Sequence, residues 1–275
     1  MPIDRSLPLP DGSTLLFATV GDPIGQAKAP AMMSAILAEQ GINGIWLPIA
    51  ADHTTLETVL AAVRHWRNFA GLSITIPHKA AALRHVDHIT RRAEASGGIN
   101  IVRRESDGTL LGDMVDGTGF VAGLSERNIA IRGRAARIVG AGGAGSALAA
   151  ALCEAGIAVL EIADRDRERV RVLQQRLARF FPQARVCEAA ALTAVDLAIN
   201  ASPAGLQAAD PLPFDPATLA PGTLVCDIIM SPPRTRLLAR AEELGYPTQP
   251  GLPMLAHQAA LYLDFFGYGE ATRHS

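Results

Sequence analysis

The sequence predicts an α/β protein of two domains, an N-terminal one with a mostly parallel sheet and a second one that is doubly wound. Short apolar runs alternate with helical patterns along most of the chain, the order expected of βαβ units. The run Arg137-Ile138-Val139 passes straight into Gly140-Ala141-Gly142-Gly143-Ala144-Gly145, so strand, tight turn and helix follow one another with G-x-G-x-x-G spacing. At 275 residues, 49% hydrophobic and 19% charged, the chain is long enough for two modest cores and too apolar for disorder.

Leu15 to Val20 is an apolar strand that stops at Gly21-Asp22-Pro23-Ile24-Gly25. Pro30 suits the first turn of a helix reaching Gln40, with Gly41 as its stop. A second strand, Ile45 to Ile49, leads to a helix from Thr55 to Asn68 with Leu56, Val59, Leu60 and Val63 on one face. Leu72 to Ile76 is a third strand, broken by Pro77. Between Ile99 and Gly112 two short strands flank Ser106-Asp107-Gly108, a hairpin turn by composition. The junction is expected at Asp113 to Gly117, giving a first domain over 1–115 and a second over 116–251, with 252–275 crossing back to complete the first. In the second domain the glycine loop opens a helix-prone segment, Ala147 to Ala155, followed by a strand, Val159 to Ala163, and a helix, Arg167 to Phe180. Strands follow at Arg185 to Cys187, Leu197 to Asn200 and Leu224 to Asp227, then helices at Thr235 to Leu244 and Met254 to Phe266.

A net charge of −2 gives no electrostatic reason to expect nucleic acid or an anionic membrane as a partner. No apolar run reaches membrane-span length, and Met1-Pro2-Ile3-Asp4-Arg5 lacks the basic start of a secretory leader, so a cytoplasmic protein is expected. Cys153, Cys187 and Cys226 lie far apart in apolar segments and read as buried free thiols of a reducing compartment. The histidines show no metal-ligand spacing, and no metal is expected; His78 and His257, beside chemistry-bearing motifs, are candidates to line the site.

The glycine spacing points to a dinucleotide. The first glycine permits the turn, the second lets a pyrophosphate approach the backbone, and the third lets helix and strand pack closely. Asp164 ends the next strand, where an acid that binds the ribose hydroxyls is expected. Lys79 follows a strand end and a proline, at the sheet edge where ligands of open α/β folds bind, and Asp116 lies at the junction. A lysine beside a carboxylate can exchange a proton with a substrate hydroxyl; a surface lysine and a helix-capping aspartate are the alternative.

Gly21-Asp22-Pro23-Ile24, Thr75-Ile76-Pro77-His78-Lys79, Gly98-Ile99-Asn100, Gly112-Asp113-Met114-Val115-Asp116-Gly117, the glycine loop, Asn200-Ala201-Ser202-Pro203-Ala204-Gly205 and Gly251-Leu252-Pro253-Met254-Leu255-Ala256-His257-Gln258-Ala259 follow one another along the chain. In that order they resemble the motifs of the shikimate dehydrogenase family, which includes quinate/shikimate dehydrogenases. The resemblance implies two domains with a cleft between them and reversible reduction of a ring ketone in a shikimate-like acid. It implies Lys79 as the proton donor and acceptor and Asp116 as its partner. Ala27, Ala29, Ser73, Thr75, Asn100 and Gln258 take the substrate positions. Gly140, Gly142, Gly143, Ala144, Asp164, Arg165, Asn200, Ser202, Ile228, Gly251 and Met254 take the cofactor positions.

Departures from the family cluster on the substrate. Ala27 and Ala29 stand where the family has serines that hold the substrate carboxylate, Met230 stands for a tyrosine, Ser73 for an asparagine, and Met114-Val115 for a polar pair. A family member with altered substrate choice is therefore expected, with Lys28, Gln26 or Ser73 as the residues that would keep shikimate or quinate as substrate instead. Asp164 favours NAD; Arg165, with Arg167 and Arg169 near it, keeps NADP open. A dinucleotide-binding sensor that lost turnover is the reading from another class, and retention of Lys79 and Asp116 argues against it. The expected partner is a small cyclic hydroxy acid or analogue, and the expected assembly a monomer or homodimer.

Overall fold

A computed structural model describes residues 9–189, 194–207 and 209–269. The N-terminal pentapeptide, His274 and the end of the expected C-terminal return lie outside the described residues. The chain divides into two compact units, Met1–Glu94 with Gly98–Met114 and Ala259–Ser275, and Ala95–Gly97 with Val115–Gln258. No helix among the described residues is long and apolar enough to cross a membrane.

The first unit runs β1 (Leu15–Gly21), α1 (Ala29–Glu39), β2 (Gly44–Ala50), α2 (Leu56–His65), β3 (Phe69–Ile74), a short 3-10 turn (Ala81–His85), β4 (His88–Ile89), the start of α3 (Arg91–Ser96), β5 (Ile101–Arg104) and β6 (Leu110–Asp113). Its six-stranded sheet has the order β2-β1-β3-β5-β6-β4. β1 is parallel to β2 and β3, and β4 to β6, while β5 is antiparallel to both neighbours; the turn at Gly108, with φ +91, reverses the chain between β5 and β6. The helix expected to reach Asn68 ends at His65, because Trp66 takes up extended backbone and β3 already begins at Phe69. β3 likewise ends two residues before the expected Ile76; Thr75 N–H still reaches the Val20 carbonyl, and Pro77 has no N–H to continue the ladder.

An aromatic cluster covers one face of this sheet. Phe17 stacks on Trp46 with centroids 5.4 Å apart, and Phe266 packs beside both. Gly71 makes room for it, since a Cβ there would fall 2.0 Å from the Phe266 ring.

The second unit contains α4 (Asp116–Glu126), β7 (Ala135–Val139), α5 (Gly143–Glu154), β8 (Val159–Ala163), α6 (Arg167–Phe180), β9 (Arg185–Glu188), β10 (Leu197–Asn200), β11 (Leu224–Asp227), α7 (Arg236–Glu243) and β12 (Thr248–Gln249). Six strands in the order β12-β11-β10-β7-β8-β9 are parallel throughout. Ile138, Leu148, Leu152, Leu160, Ile162 and Ile199 form the centre of its core. α5 starts at Gly143, four residues before the expected Ala147, because the glycine loop itself supplies the first helical turn. The last helix, α8 (Leu252–Phe265), is divided: residues through Gln258 belong with the second unit and those from Ala259 with the first.

Cys153 and Cys226 are buried, and burial pushes the Cys153 thiol up to about 12 and raises that of Cys226. Cys187 is a correction to the expected core thiol: it is only half-buried, since β9 is the sheet's edge strand.

Candidate active site

In the second unit, β7 delivers the chain to Gly140, whose φ of +110 only glycine adopts freely. A Cβ on Gly145 would fall 1.8 Å from the Gly140 carbonyl oxygen, so this glycine is demanded by the protein's own packing. Gly142 is different. Its φ is −74, and a Cβ there would meet nothing within 4 Å, so neither backbone strain nor packing requires glycine. Gly143 and Ala144 form the first turn of α5 and are half-buried.

Asp164 closes the loop. One carboxylate oxygen accepts from Ala141 N–H at 2.6 Å and the other from Asp166 N–H at 2.9 Å. Each oxygen keeps a further lone pair, so the ribose-binding role is compatible with this bracing. Arg165 is exposed beside it.

Asn200 is wholly buried. Its Nδ2 donates to the Ala204 carbonyl at 3.0 Å and to Asp227 Oδ1 at 3.1 Å, and its Oδ1 accepts from Ser202 N–H at 3.0 Å and Ser202 Oγ–H at 2.7 Å. The motif asparagine thus shapes the 200–205 turn. Asp227, which sequence reasoning treated only as a landmark, is the hub beneath it, accepting also from Ile229 N–H and from Thr235 Oγ at 2.7 Å. Burial pushes the Asp227 carboxyl up to about 6, against the lowering effect of its hydrogen bonds to Thr235, Ile229 and Asn200. Ile228 donates its N–H to the Asn200 carbonyl, and Gly251 packs against the Ile228 carbonyl, where a Cβ would fall 2.4 Å from the oxygen. Met254 is buried in the second unit's core.

Asp116 lies in the first turn of α4, 2% exposed, where unpaired helical N–H groups favour a carboxylate. Val115, not Asp116, is the helix cap. Gln258 Nε2 donates to Asp116 Oδ1 at 3.0 Å, so the structure brings these two motif residues together in the second unit.

In the first unit Lys79 is half-buried. His78, expected to line the site, is 1% exposed, and its Nε2 lies 2.6 Å from the Ala51 carbonyl, which anchors the turn before Lys79. His257 pairs with Glu126 at the surface instead of lining a site. Ile99 N–H donates to the Lys79 carbonyl at 2.8 Å, Ile74 N–H to the Asn100 carbonyl at 2.7 Å, and Asn100 N–H to the Asp113 carbonyl at 2.9 Å. These bonds tie Lys79, Asn100 and the end of β3 together. Asp113, itself 1% exposed, accepts from Thr90, Arg92 and Met114 N–H and holds that junction. Thr75, Ala27 and Ala29 are half-buried, Gln26 and Lys28 exposed, and Ser73 is buried against Thr19.

The family model described as the shikimate dehydrogenase substrate binding domain matches residues 19–102. Two curated relatives are named shikimate dehydrogenase (NADP(+)). The chain is 39% identical to that of Rhodospirillum rubrum over 254 residues (90% of this chain, 89% of the relative). It is 36% identical to that of Rubrobacter xylanophilus over 260 residues (92% and 90%). Among solved structures, the shikimate 5-dehydrogenase of Thermus thermophilus with NADP(H) and shikimate matches with TM-score 0.81 at 31% identity (92% and 93% covered). The quinate dehydrogenase of Corynebacterium glutamicum with NAD gives 0.83 at 30% (92% and 93%). The 5-ketofructose reductase of a Gluconobacter strain gives 0.82 at 28% (92% of each chain). With relatives more than 30% identical along nearly its whole length, and the glycine loop and the Asp116–Gln258 pair in place, the chain belongs to the shikimate dehydrogenase family.

Proposed function

We propose that this protein is a nicotinamide-dependent oxidoreductase that interconverts a hydroxyl and a ketone on a polyhydroxylated substrate lacking the carboxylate of shikimate. The observation that carries this reading is the pair of methyl groups at Ala27 and Ala29, half-buried at the entrance to α1, where the family resemblance calls for carboxylate-binding hydroxyls. Two lost hydrogen bonds to a charged group weaken binding by about 1.5 to 3 kcal/mol each. The likeness to a reductase of 5-ketofructose supports a sugar-like, uncharged substrate. A second reading, shikimate or quinate itself, is favoured by the names of the relatives above.

A bound nicotinamide dinucleotide supplies or accepts the hydride. The chain's own residues handle the proton: Lys79 takes it from the substrate hydroxyl during oxidation and returns it during reduction, and Asp116 is the carboxylate that the family resemblance assigns as its partner. Gln258 Nε2 donates to the Asp116 carboxylate and fixes it in place. Asp164 receives the ribose hydroxyls and repels a 2′-phosphate, which favours NAD over the NADP of the named relatives.

Initial rates with shikimate, quinate and 5-ketofructose, each with both cofactors, test the proposal through the absorbance of the reduced nicotinamide. Preference for the neutral ketone with NAD supports it; kcat/KM highest for shikimate sinks the altered-pocket reading. Cofactor binding without turnover on the whole panel favours the sensor. Lys79→Ala should collapse kcat while cofactor binding persists, and an unchanged kcat removes Lys79 from the mechanism.

A further inference from the structure

The turn that follows β10 is held against the glycine loop from behind by one buried carboxylate. β10 and β8 flank β7 on opposite sides, so the C-terminal ends of β7 and β10 border the point where an open parallel sheet binds its ligand. There Ala201 N–H donates to the Val139 carbonyl at 2.8 Å, and a Cβ on Gly140 would fall 2.7 Å from the Ala201 carbonyl and 2.8 Å from Ser202 N. The 200–205 turn and the glycine loop are therefore in backbone contact. Asp227 is in register with Asn200 on the neighbouring strand, and Asn200, Asp227 and Thr235 are all buried.

Backbone groups fix the direction of these bonds. Ser202 N–H can only donate and the Ala204 carbonyl can only accept, so Asn200 Oδ1 faces the first, and Nδ2 faces the second and Asp227. With the Ser202 hydroxyl on Oδ1 as well, both N–H protons and both oxygen lone pairs of the amide are used. Asp227 Oδ1 receives two donors, Asn200 Nδ2 and Ile229 N–H, and Oδ2 faces Thr235 Oγ. Such a set fits a carboxylate, whose charge makes hydrogen bonds to it roughly twice as strong as those to a neutral acceptor. A proton taken up by this group must sit on Oδ2, which leaves Oδ1 a neutral acceptor and weakens its hold on Asn200 and Ile229 together. Burial nonetheless pushes the carboxyl up to about 6. The ionisable groups on the surrounding elements are occupied otherwise. Cys226 is kept a neutral thiol by burial, Arg234 pairs with Glu242, Arg236 donates to the Asp210 carbonyl, and Arg127 bonds Gln249. Asp210 accepts from Gly205 and Gln207 N–H, which hold its carboxyl below the usual range.

We propose that Asp227 is a positioning residue of the dinucleotide site: its charge holds the 200–205 turn and the 228–229 backbone in the shape that binds the nucleotide, so protonation of Asp227 weakens cofactor binding. The nucleotide then prefers the ionised form, and by linkage its binding expels the Asp227 proton. This rests on the dinucleotide reading above and deepens it by naming what sets the site's response to pH. No contact between Asp227 and the nucleotide is required, because the effect passes through Asn200 and Ile229.

Titration calorimetry with NAD between pH 5 and pH 8, in buffers of different ionisation enthalpy, tests it; NAD is the probe because the 2′-phosphate of NADP itself titrates near pH 6. The unaltered protein should bind NAD about three- to tenfold more weakly at pH 5 than at pH 8, with a fraction of a proton released on binding near pH 6. Asp227→Asn, which stays neutral, should bind at the weaker level throughout and release no proton. Thr235→Val removes a donor that favours the charged form and should move the midpoint to higher pH, whereas Thr235→Ser should leave it in place; this pair carries the test if Asp227→Asn does not fold. A purely structural Asp227 would lower the melting temperature of its variants and leave the pH profile of NAD binding alike in all of them, which overturns the proposal. Binding of NAD that is indifferent to pH in the unaltered protein overturns this inference alone. No binding of NAD or NADP at any pH overturns the dinucleotide reading and this inference together.

Discussion

Replacing Asp227 with asparagine should make the stability difference between the two proteins depend on pH in a predictable sense. Asp227 is 1% exposed and held by Asn200, Ile229 and Thr235, yet burial pushes its carboxyl from the ordinary 3.8 up to about 6. A raised carboxylate pKa means that the folded state holds a proton the unfolded chain has released. The stabilisation tied to that proton is complete below the unfolded value and is lost as pH rises through the folded one. A shift of about two units corresponds to roughly 3 kcal/mol. Asparagine does not titrate, so the stability of the unaltered protein minus that of Asp227→Asn should grow by about that amount between pH 7 and pH 4, with most of the change between about 4 and 6. Urea unfolding of both proteins across that range measures it, and the other titrating groups largely cancel in the difference. A difference that stays constant with pH, or shrinks on acidification, would refute the argument that burial outweighs the hydrogen bonds at this carboxylate.

Gly145→Ala should destabilise the protein by at least a few kcal/mol, because its Cβ would sit 1.8 Å from a backbone oxygen; Gly142→Ala, with open space around it, should melt like the unaltered protein but lose dinucleotide affinity about tenfold or more, both read by thermal melting with and without NAD. Normal nucleotide affinity in Gly142→Ala would remove the pyrophosphate from that position. Asp164→Asn should raise the NADP/NAD ratio of kcat/KM about tenfold or more, and an unaltered ratio would free cofactor choice from this carboxylate. Ala27→Ser with Ala29→Ser should raise kcat/KM for shikimate by about ten- to a hundredfold per restored bond, and no gain would show that the missing hydroxyls do not set substrate choice.

The second unit's regular elements follow the local pattern closely. α6 runs Arg167–Phe180 as its periodicity indicates, since Asp166 caps it with two accepted N–H bonds and Val170, Leu173 and Leu177 form a single buried stripe. β10 and β11 also keep their expected bounds, both being short apolar runs buried along their whole length. Local pattern fails where pairing decides instead. β4 and β12 are two residues each, too short for any periodicity, and exist because β6 and β11 offer them an edge. α2 stops early because β3 must start at Phe69 to meet Leu16, a constraint imposed from fifty residues away.

The candidate site divides along the same line, and the division says what each motif residue is for. Motifs show that a residue type is required at a position without showing what requires it. Asn200 and Met254 carry the family pattern, and the structure shows the first bonded into a turn and the second buried in the core. Gly142 carries the same pattern, and a Cβ there would meet nothing within 4 Å. Trp46, Thr19 and Ser73 belong to no common motif because they sit on separate strands and meet only through the register of β2, β1 and β3. Substitutions within a motif such as Ser73 are therefore best read against the three-dimensional partners they acquire, here the Thr19 hydroxyl, which also accepts from the Trp46 indole.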